Sequence, residues 1–318
     1  MSPYNDYSRA AFRDIGGNLD VLLTNELYVA HQVTGKYPAI MGLEFAAVEV
    51  SRPWNDWRRE LVMQWHEMGG IVSFCWHWLI PLNAEALAKP FEDMRREDLG
   101  CWNTKFPDLD LKAAMEDPNN RYYQWILYTI DRAAEDLLAL QAVGVPVLWR
   151  PLHEVAGGWF WWGTDREGYL KLWHLLYDRL VNVHGVHNLI WVWNAQDPDW
   201  YPGDDTVDIL ADDIYDPSAK DPACSRRFKL IRSASPSKMV GMSECNKAFD
   251  VDIAWSPEKN TRWQQFIFWD REQFLKSGSD GGIGGDGHVR EFLEDNISAE
   301  DLRKLYNHEL VLTLDEIQ

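Results

Sequence analysis

The chain has 318 residues, enough for two domains or one barrel, and carries 31 Lys plus Arg against 50 Asp plus Glu, a net charge of −19. Nucleic acids and anionic membranes attract cationic surfaces, so neither is an expected partner. A neutral ligand would be indifferent to this charge. The 18 Trp exceed what core packing ordinarily needs, which favours a function for some of the indole rings.

The cysteines and the N-terminal residues leave the cellular location of the protein open. Cys75, Cys101, Cys224 and Cys245 show no CxxC spacing, so a zinc cluster is not predicted, while a disulfide between any two remains open. No apolar stretch is long enough to span a bilayer. Residues 1–6 lack the basic and apolar character of a secretion signal, so an intracellular location and a removed signal are both open.

From residue 37 onward, short apolar runs alternate with amphipathic helices, which is typical of parallel β/α architecture. The predicted strands are residues 39–45, 71–76, 147–152, 188–193, 207–214, 238–243 and 265–269. Helices are predicted at 57–68, in a long segment ending near Gly144, at 165–184, and after a capping pair, Ser298 with Asp301. With residues 19–23 as the best candidate for an eighth strand, the pattern predicts an α/β protein, one (β/α)8 TIM barrel over residues 1–318 with an irregular part at 1–35.

A glycine-rich segment, SGSDGGIGGDG, occupies residues 277–287. A phosphate-binding loop would end in Lys-Ser or Lys-Thr and would follow a strand directly. Neither condition is met, so an ordinary loop is predicted.

The most informative stretch begins where the strand predicted at 147–152 ends. It reads Arg-Pro-Leu-His-Glu over residues 150–154, then Gly157 and Gly158, then Trp-Phe-Trp-Trp over residues 159–162. A pyranose ring stacks on an aromatic ring, and a carboxylic acid protonates the glycosidic oxygen as it leaves. The stretch therefore favours sugar chemistry over the alternative of a plain strand end with aromatic core residues.

A zinc site is the second alternative, because His153 and Glu154 begin like a metalloprotease helix. The second His of that motif would fall at position 157, which is Gly157. No metal and no cofactor are therefore predicted.

This stretch resembles the acid/base segment of glycoside hydrolase family 26, and the resemblance extends from about residue 35 to the C-terminus. Most members are endo-β-1,4-mannanases, and a minority cut mixed-linkage β-glucan or β-1,3-xylan. The resemblance implies that Glu154, at the end of the fourth barrel strand, is the acid/base. Glu244 ends the apolar run 239–244 and is implied to be the nucleophile at the end of the seventh strand.

The resemblance also implies a set of substrate-binding residues. Tyr215 is expected to donate a hydrogen bond to Glu244, and Arg150 to add positive charge beneath the site. Trp162 is either a floor of the groove or core, and Trp102 either a sugar platform or packing. The complete predicted set is His77, Trp102, His153, Trp159, Trp162, Tyr215, Phe249 and Trp269.

Two departures from the family pattern lie after the nucleophile. Only 24 residues separate Glu244 from Trp269, which predicts a short seventh helix or a loop. Asp270 rather than Arg directly follows Trp269. Both departures lie on the side that would bind the glycone, so chain-length preference and endo or exo action stay open.

The predicted function is hydrolysis of internal β-1,4-mannosidic bonds with retention, on β-mannan or manno-oligosaccharides. The first alternative is the same mechanism on β-1,3-1,4-glucan or β-1,3-xylan. The second is a carbohydrate-binding barrel without catalysis, although both glutamates are present. A mannan polymer lies outside the cell, so a secreted protein is favoured over an intracellular one, and a monomer is expected.

Overall fold

The computed structural model describes residues 26–45, 49, 56–103, 109–215, 221–268 and 297–317. In these ranges seven strands form one sheet: β1 Ile40–Glu44, β2 Ile71–Trp76, β3 Val147–Pro151, β4 Leu189–Trp193, β5 Ile209–Ile214, β6 Met239–Cys245 and β7 Phe266–Phe268. The helices are α1 Glu26–Thr34, α2 Asp56–Glu67, α3 Ala84–Ala88, α4 Leu111–Glu116, α5 Arg121–Gln141, α6 Arg166–Asp178, α7 Ser225–Arg232, α8 Val251–Trp255 and α9 Ala299–Tyr306.

The seven strands follow one another in the sheet in chain order, and every neighbouring pair is parallel. The two edge strands approach each other, because a Cβ placed on Gly42 of β1 would lie 3.3 Å from Cγ2 of Ile267 in β7. The sheet is therefore a nearly closed barrel, which confirms the predicted fold class. The eighth strand suggested at 19–23 and the glycine-rich loop at 277–287 lie outside the described residues.

Most predicted helices are found within a few residues of their expected bounds. The helix expected at 165–184 is α6, which continues as a π-helical turn over Arg179–Val183. Of the short helix or loop expected after Glu244, the structure shows a short helix, the five-residue α8. Ser298 caps α9 by accepting a hydrogen bond from the backbone N–H of Asp301, as the sequence predicts.

Side chains alternate between the two faces of each strand, and this alternation places polar groups inside one end of the barrel. A small apolar cluster of Leu148, Val192, Ile209 and Ala211 is separate from the main core, and we assign it to the barrel interior. Two residues further along the chain from Leu148, Val192 and Ala211 come Arg150, Asn194 and Asp213, of which Asn194 directly follows its strand. These polar residues share the inward face at the carboxyl ends of the strands, where barrel active sites lie.

A β-bulge directs Glu244 to the same face. Asp212 pairs with Met242, but Asp213 pairs with Glu244, so Ser243 is the extra residue of β6. In an unbroken register Asp213 would pair with Ser243, and the period of two would turn Glu244 to the opposite face. The bulge therefore places the two carboxylates side by side.

The main core is unusually rich in indole rings. The fully buried tryptophans of the described part are Trp65, Trp76, Trp78, Trp125, Trp149, Trp161, Trp162, Trp173 and Trp193. Several indole N–H groups donate to buried acceptors, for example from Trp125 to the carbonyl of Leu79 at 2.9 Å. These buried indoles belong to the core, whereas Trp102 and Trp159 keep exposed surface. No described helix has the length and apolar character needed to cross a membrane.

Candidate active site

The loop that follows β3 carries Glu154 in an unusual backbone conformation. Leu152 and Glu154 have φ of 52° and 55°, a left-handed conformation that costs most residues about 1–2 kcal/mol. The loop is held by the end of β4, because the N–H of Glu154 donates to the carbonyl of Asn194 at 2.7 Å and the N–H of Ala156 to that of Ala195 at 3.2 Å. These bonds fix the direction in which Glu154 projects.

Glu244 is buried and held by two donors. Arg150 donates from Nη2 to Glu244 Oε1 at 2.5 Å and from Nη1 to Asp213 Oδ2 at 3.2 Å. The hydroxyl of Tyr215 donates to Glu244 Oε2, as the sequence analysis expected. Asp213 also accepts from Nδ2 of Asn194 at 2.9 Å. A guanidinium and a phenol thus hold the two oxygens of Glu244 in one orientation.

Three carboxyl groups meet at this end of the barrel. One oxygen from each of Glu154, Asp213 and Glu244 lies within 4.8 Å of the other two. Burial raises the pKa of Glu154 and of Asp213, and the charge of Glu244 raises both further. Carboxylates this close repel one another when all are ionised. The group therefore retains a proton to higher pH than an isolated carboxyl would.

Two histidines form one wall of the site. The Nδ1 of His77 lies 2.5 Å from Oε2 of Glu44, and the N–H of His77 donates to Oε1 of Glu44 at 2.8 Å. Burial lowers the pKa of His77, but the pairing with Glu44 outweighs it and the pKa lies above its ordinary value. The ring of His153 contacts that of His77 at 4.7 Å, and burial and Arg150 place its pKa well below the ordinary value. His153 is therefore the neutral member of the pair.

Trp159 connects the aromatic run to the acid. Its indole N–H donates to Oε2 of Glu154 at 2.9 Å, and 39 % of the residue is exposed. The ring rests on Gly157, where a Cβ would lie 2.1 Å from the indole. Trp159 is thus placed where it can contact both the carboxyl group and a ligand.

The remaining aromatics form a stack beside Trp159. Trp102 is 48 % exposed and stacks on Phe160, which stacks in turn on Trp162 with centroids 4.4 Å apart. Trp162 is fully buried and donates to the carbonyl of His153 at 2.9 Å. The prediction of Trp162 as a substrate-binding floor was therefore wrong, and the core alternative holds, because Phe160 covers its ring. Trp102 keeps an exposed face for a ligand.

Phe249 and Trp269 are the two residues predicted on the glycone side. Phe249 is nearly buried, packs edge-to-face on Phe266 at 5.5 Å, and lines a cavity of about 280 Å³ with Lys247 and Asp250. Its contact with substrate stays a prediction. Trp269 lies outside the described residues.

Among the described residues, two groups of side chains have the composition of a metal site, and protein donors contact the carboxylates of both. In the first, the thiol of Cys75 donates to Oε2 of Glu44 at 3.1 Å, beside the Nδ1 of His77. In the second, Arg150 lies between the carboxylates of Asp213 and Glu244. Hydrogen-bond donors of the protein therefore already contact the carboxylate oxygens that a cation would bind.

Sequence reasoning missed four polar residues of the site: Glu44, Asn194, Gln196 and Asp213. Glu44 and Asp213 are the second-last residues of predicted strands, and Asn194 directly follows one. A polar residue at the carboxyl end of an apolar barrel strand is the signal that could have found these three. Gln196 lies three residues beyond β4 and donates to Oε1 of Glu154 at 3.3 Å, which no sequence pattern indicates.

Comparison with known proteins assigns the family. The model of glycosyl hydrolase family 26 matches residues 14–280. The chain belongs to glycosyl hydrolase family 26. A mannan endo-1,4-beta-mannosidase from Thermothelomyces thermophilus is 38 % identical over 98 % of this chain. The chain covers 60 % of that relative, and 42 % of mannan endo-1,4-beta-mannosidase A from a Piromyces species.

Solved structures of the same family share the fold. The GH26-CBM35 beta-(1,4)-mannanase of Podospora anserina superimposes with a TM-score of 0.71 at 34 % identity, covering 92 % of this chain and 61 % of that one. A beta-mannanase from a symbiotic protist of the termite Reticulitermes speratus, complexed with gluco-manno-oligosaccharide, gives 0.67 at 29 % identity, with 92 % and 84 % covered. Family 26 membership and the barrel are thus supported independently.

Proposed function

We propose that this family 26 chain is a retaining endo-β-1,4-mannanase. The observation that carries the proposal is the group of carboxyls at the barrel end, with oxygens of Glu154 and Glu244 within 4.8 Å. Carboxyl groups of retaining glycosidases are about 5–5.5 Å apart, whereas inverting enzymes need roughly 6.5–9.5 Å to admit water. The short separation therefore favours direct attack by one carboxylate.

The environments of the two glutamates favour different roles. Glu244 accepts from the guanidinium of Arg150 and the phenol of Tyr215, and two donors that fix its orientation suit a nucleophile. Burial and the charge of Glu244 raise the pKa of Glu154, which suits a group that enters the reaction protonated. This difference in environment supports Glu244 as the nucleophile and Glu154 as the acid/base.

The reaction proceeds in two displacements. Glu154 donates its proton to the glycosidic oxygen while an oxygen of Glu244 attacks the anomeric carbon, and the leaving sugar departs with that proton. Glu154, now a carboxylate, takes a proton from water, whose oxygen attacks the anomeric carbon and releases Glu244. The product keeps its original configuration because two inversions have occurred.

The proposed substrate is a neutral β-mannan or manno-oligosaccharide. Trp102, Trp159 and Tyr215 present exposed aromatic surface beside the carboxyls, on which pyranose rings can stack. His77 is partly exposed in the same region and is proposed to bind a hydroxyl group. In this structure the ring of His153 contacts its neighbour His77, and only 1 % of His153 is exposed. The named relatives are mannan endo-1,4-beta-mannosidases, which favours mannan over other β-glycans.

The deciding experiment measures reducing-sugar release from linear mannan, barley β-glucan and β-1,3-xylan. Wild type is compared with Glu154→Ala and Glu244→Ala, and Glu300→Ala on the exposed side of α9 is the matched control. We expect wild type to cleave mannan. Glu154→Ala and Glu244→Ala should lose this activity, and Glu300→Ala should keep it. Proton NMR of the first product should show the β-anomer.

Each contrary result has a defined meaning. Cleavage of glucan or xylan alone would overturn the substrate and keep the mechanism. An α-anomer as the first product would overturn retention. Binding of a polymer without any cleavage would make the chain a carbohydrate-binding barrel.

We further propose that residues 1–318 act as one catalytic domain and that the protein is exported. Mannan is a polymer outside the cell, so an enzyme that cuts its internal bonds has to reach it there. Fractionation of the source culture, followed by mannanase assay of cells and medium, tests the location. Activity confined to the cells would contradict export.

A further inference from the structure

The carboxyl group of Glu154 has a second neutral donor besides Trp159. The side-chain amide of Gln196 donates from Nε2 to Oε1 of Glu154 at 3.3 Å, while Trp159 donates to Oε2 at 2.9 Å. Trp159 belongs to the same loop as Glu154, but Gln196 follows β4. Each oxygen of the acid is therefore tied to a different segment of the barrel.

Gln196 is held in a conformation that few residues adopt. Its φ is 67°, and the left-handed region is unfavourable for a side chain without a short polar group. The two residues before it, Asn194 and Ala195, accept the backbone bonds from Glu154 and Ala156. Strained backbone of this kind is found where a function requires the geometry.

Arg227 of α7 secures the conformation of Gln196. Its guanidinium binds the buried carboxylate of Asp212 through two bonds of 2.6 Å. The same Nη2 donates to the carbonyl of Gln196 at 2.9 Å. A fork of this type fixes the guanidinium more rigidly than an ammonium could be fixed. A contact path therefore runs from Asp212 through Arg227 and Gln196 to the acid.

We propose that Gln196 is a positioning residue for the acid/base: anchored by Arg227, its amide holds the Glu154 carboxyl in place and stabilises its ionised form. This inference rests on the proposed function of Glu154. An amide adds no net charge, so it orients the carboxyl without cancelling the effect of Glu244. A donor to the carboxylate favours its ionised form, and so limits the rise in the pKa of Glu154 that burial and Glu244 produce.

Gln196→Leu removes the donor at similar size, and its matched control is Gln264→Leu, an exposed glutamine before β7. Loss of one hydrogen bond to a charged group lowers kcat/KM on mannohexaose about tenfold. The alkaline limb of the pH profile moves to higher pH because the carboxylate loses a donor. A dinitrophenyl mannobioside, whose leaving group departs without a proton, loses less than about threefold.

Equal losses on both substrates with an unmoved pH profile would overturn the proposal, since a merely structural role predicts that pattern. If Gln196→Leu fails to fold, Gln196→Gly removes the same donor and is at ease at this φ. The pKa of Glu154, measured by ¹³C NMR of labelled glutamate with Glu154→Gln for assignment, should rise in either variant. This measurement needs no substrate, so an unchanged pKa refutes the inference even if no mannan is cut.

Discussion

Gly157 leaves room for the indole ring of Trp159, which donates a hydrogen bond to Glu154. A Cβ at position 157 would lie 2.1–2.4 Å from three ring atoms of Trp159, whereas carbon atoms in contact prefer about 3.5–4.0 Å. Gly157 does not have a positive φ, so alanine is compatible with the backbone. In Gly157→Ala the indole therefore has to move by about 1 Å or more.

The displacement breaks the 2.9 Å bond between the indole N–H and Glu154. A hydrogen bond to a charged group is worth about 1.5–3 kcal/mol, so we expect kcat/KM on mannohexaose to fall roughly 10- to 100-fold. Thermal stability should change little, because the ring is 39 % exposed.

A double-mutant cycle isolates the cause. In a Trp159→Ala background the new methyl group meets no indole, so adding Gly157→Ala should change kcat/KM less than twofold. The reasoning is refuted if Gly157→Ala alone keeps kcat/KM within twofold of wild type. It is also refuted if the substitution costs the same with and without the indole.

Three further results are expected. Tyr215→Phe removes the donor to Glu244 and should lower kcat/KM about tenfold or more; a change below twofold in initial rates would contradict this. Arg150→Met leaves two buried carboxylates, Asp213 and Glu244, without their cationic partner. Urea denaturation should show a free energy of unfolding lower by about 3–5 kcal/mol, and adding Glu244→Gln should restore part of it. Equal stability of Arg150→Met and wild type would contradict this. Burial raises the pKa of Glu49 from 4.5 to about 7. The folded protein therefore gains stability from protonated Glu49 below pH 4.5. This contribution of about 3 kcal/mol is lost as the pH rises to 7. Urea denaturation at pH 4.5 and pH 7 should show that wild type loses more stability between these values than Glu49→Gln does. An equal change in both proteins would contradict this.

The sequence predicted those features that depend on local pattern. Apolar runs of strand length predicted the seven strands, the acid beside an aromatic run indicated Glu154, and the family resemblance implied Glu244 at the end of a later strand. These positions could be found because a barrel places the carboxyl ends of all its strands around one opening. The short α8 followed from chain length alone.

Features that depend on contacts between distant segments could not be predicted. The bulge at Ser243 requires the register of β6 against β5. The burial of Trp162 depends on Phe160, which Trp102 covers from another loop. Within the aromatic run 159–162 the residues look alike in sequence, and tertiary packing alone decides which ring faces a ligand.

The bonds from residues 154 and 156 to the carbonyls of Asn194 and Ala195 have a consequence for protein engineering. Barrel loops are commonly exchanged one at a time because each leaves its own strand and returns to its own helix. Here the segment after β3 depends on the segment after β4 for its shape. A graft of residues 152–163 into another barrel should therefore include residues 194–196, since the transplanted segment alone would lose the acceptors that keep its carboxyl in place.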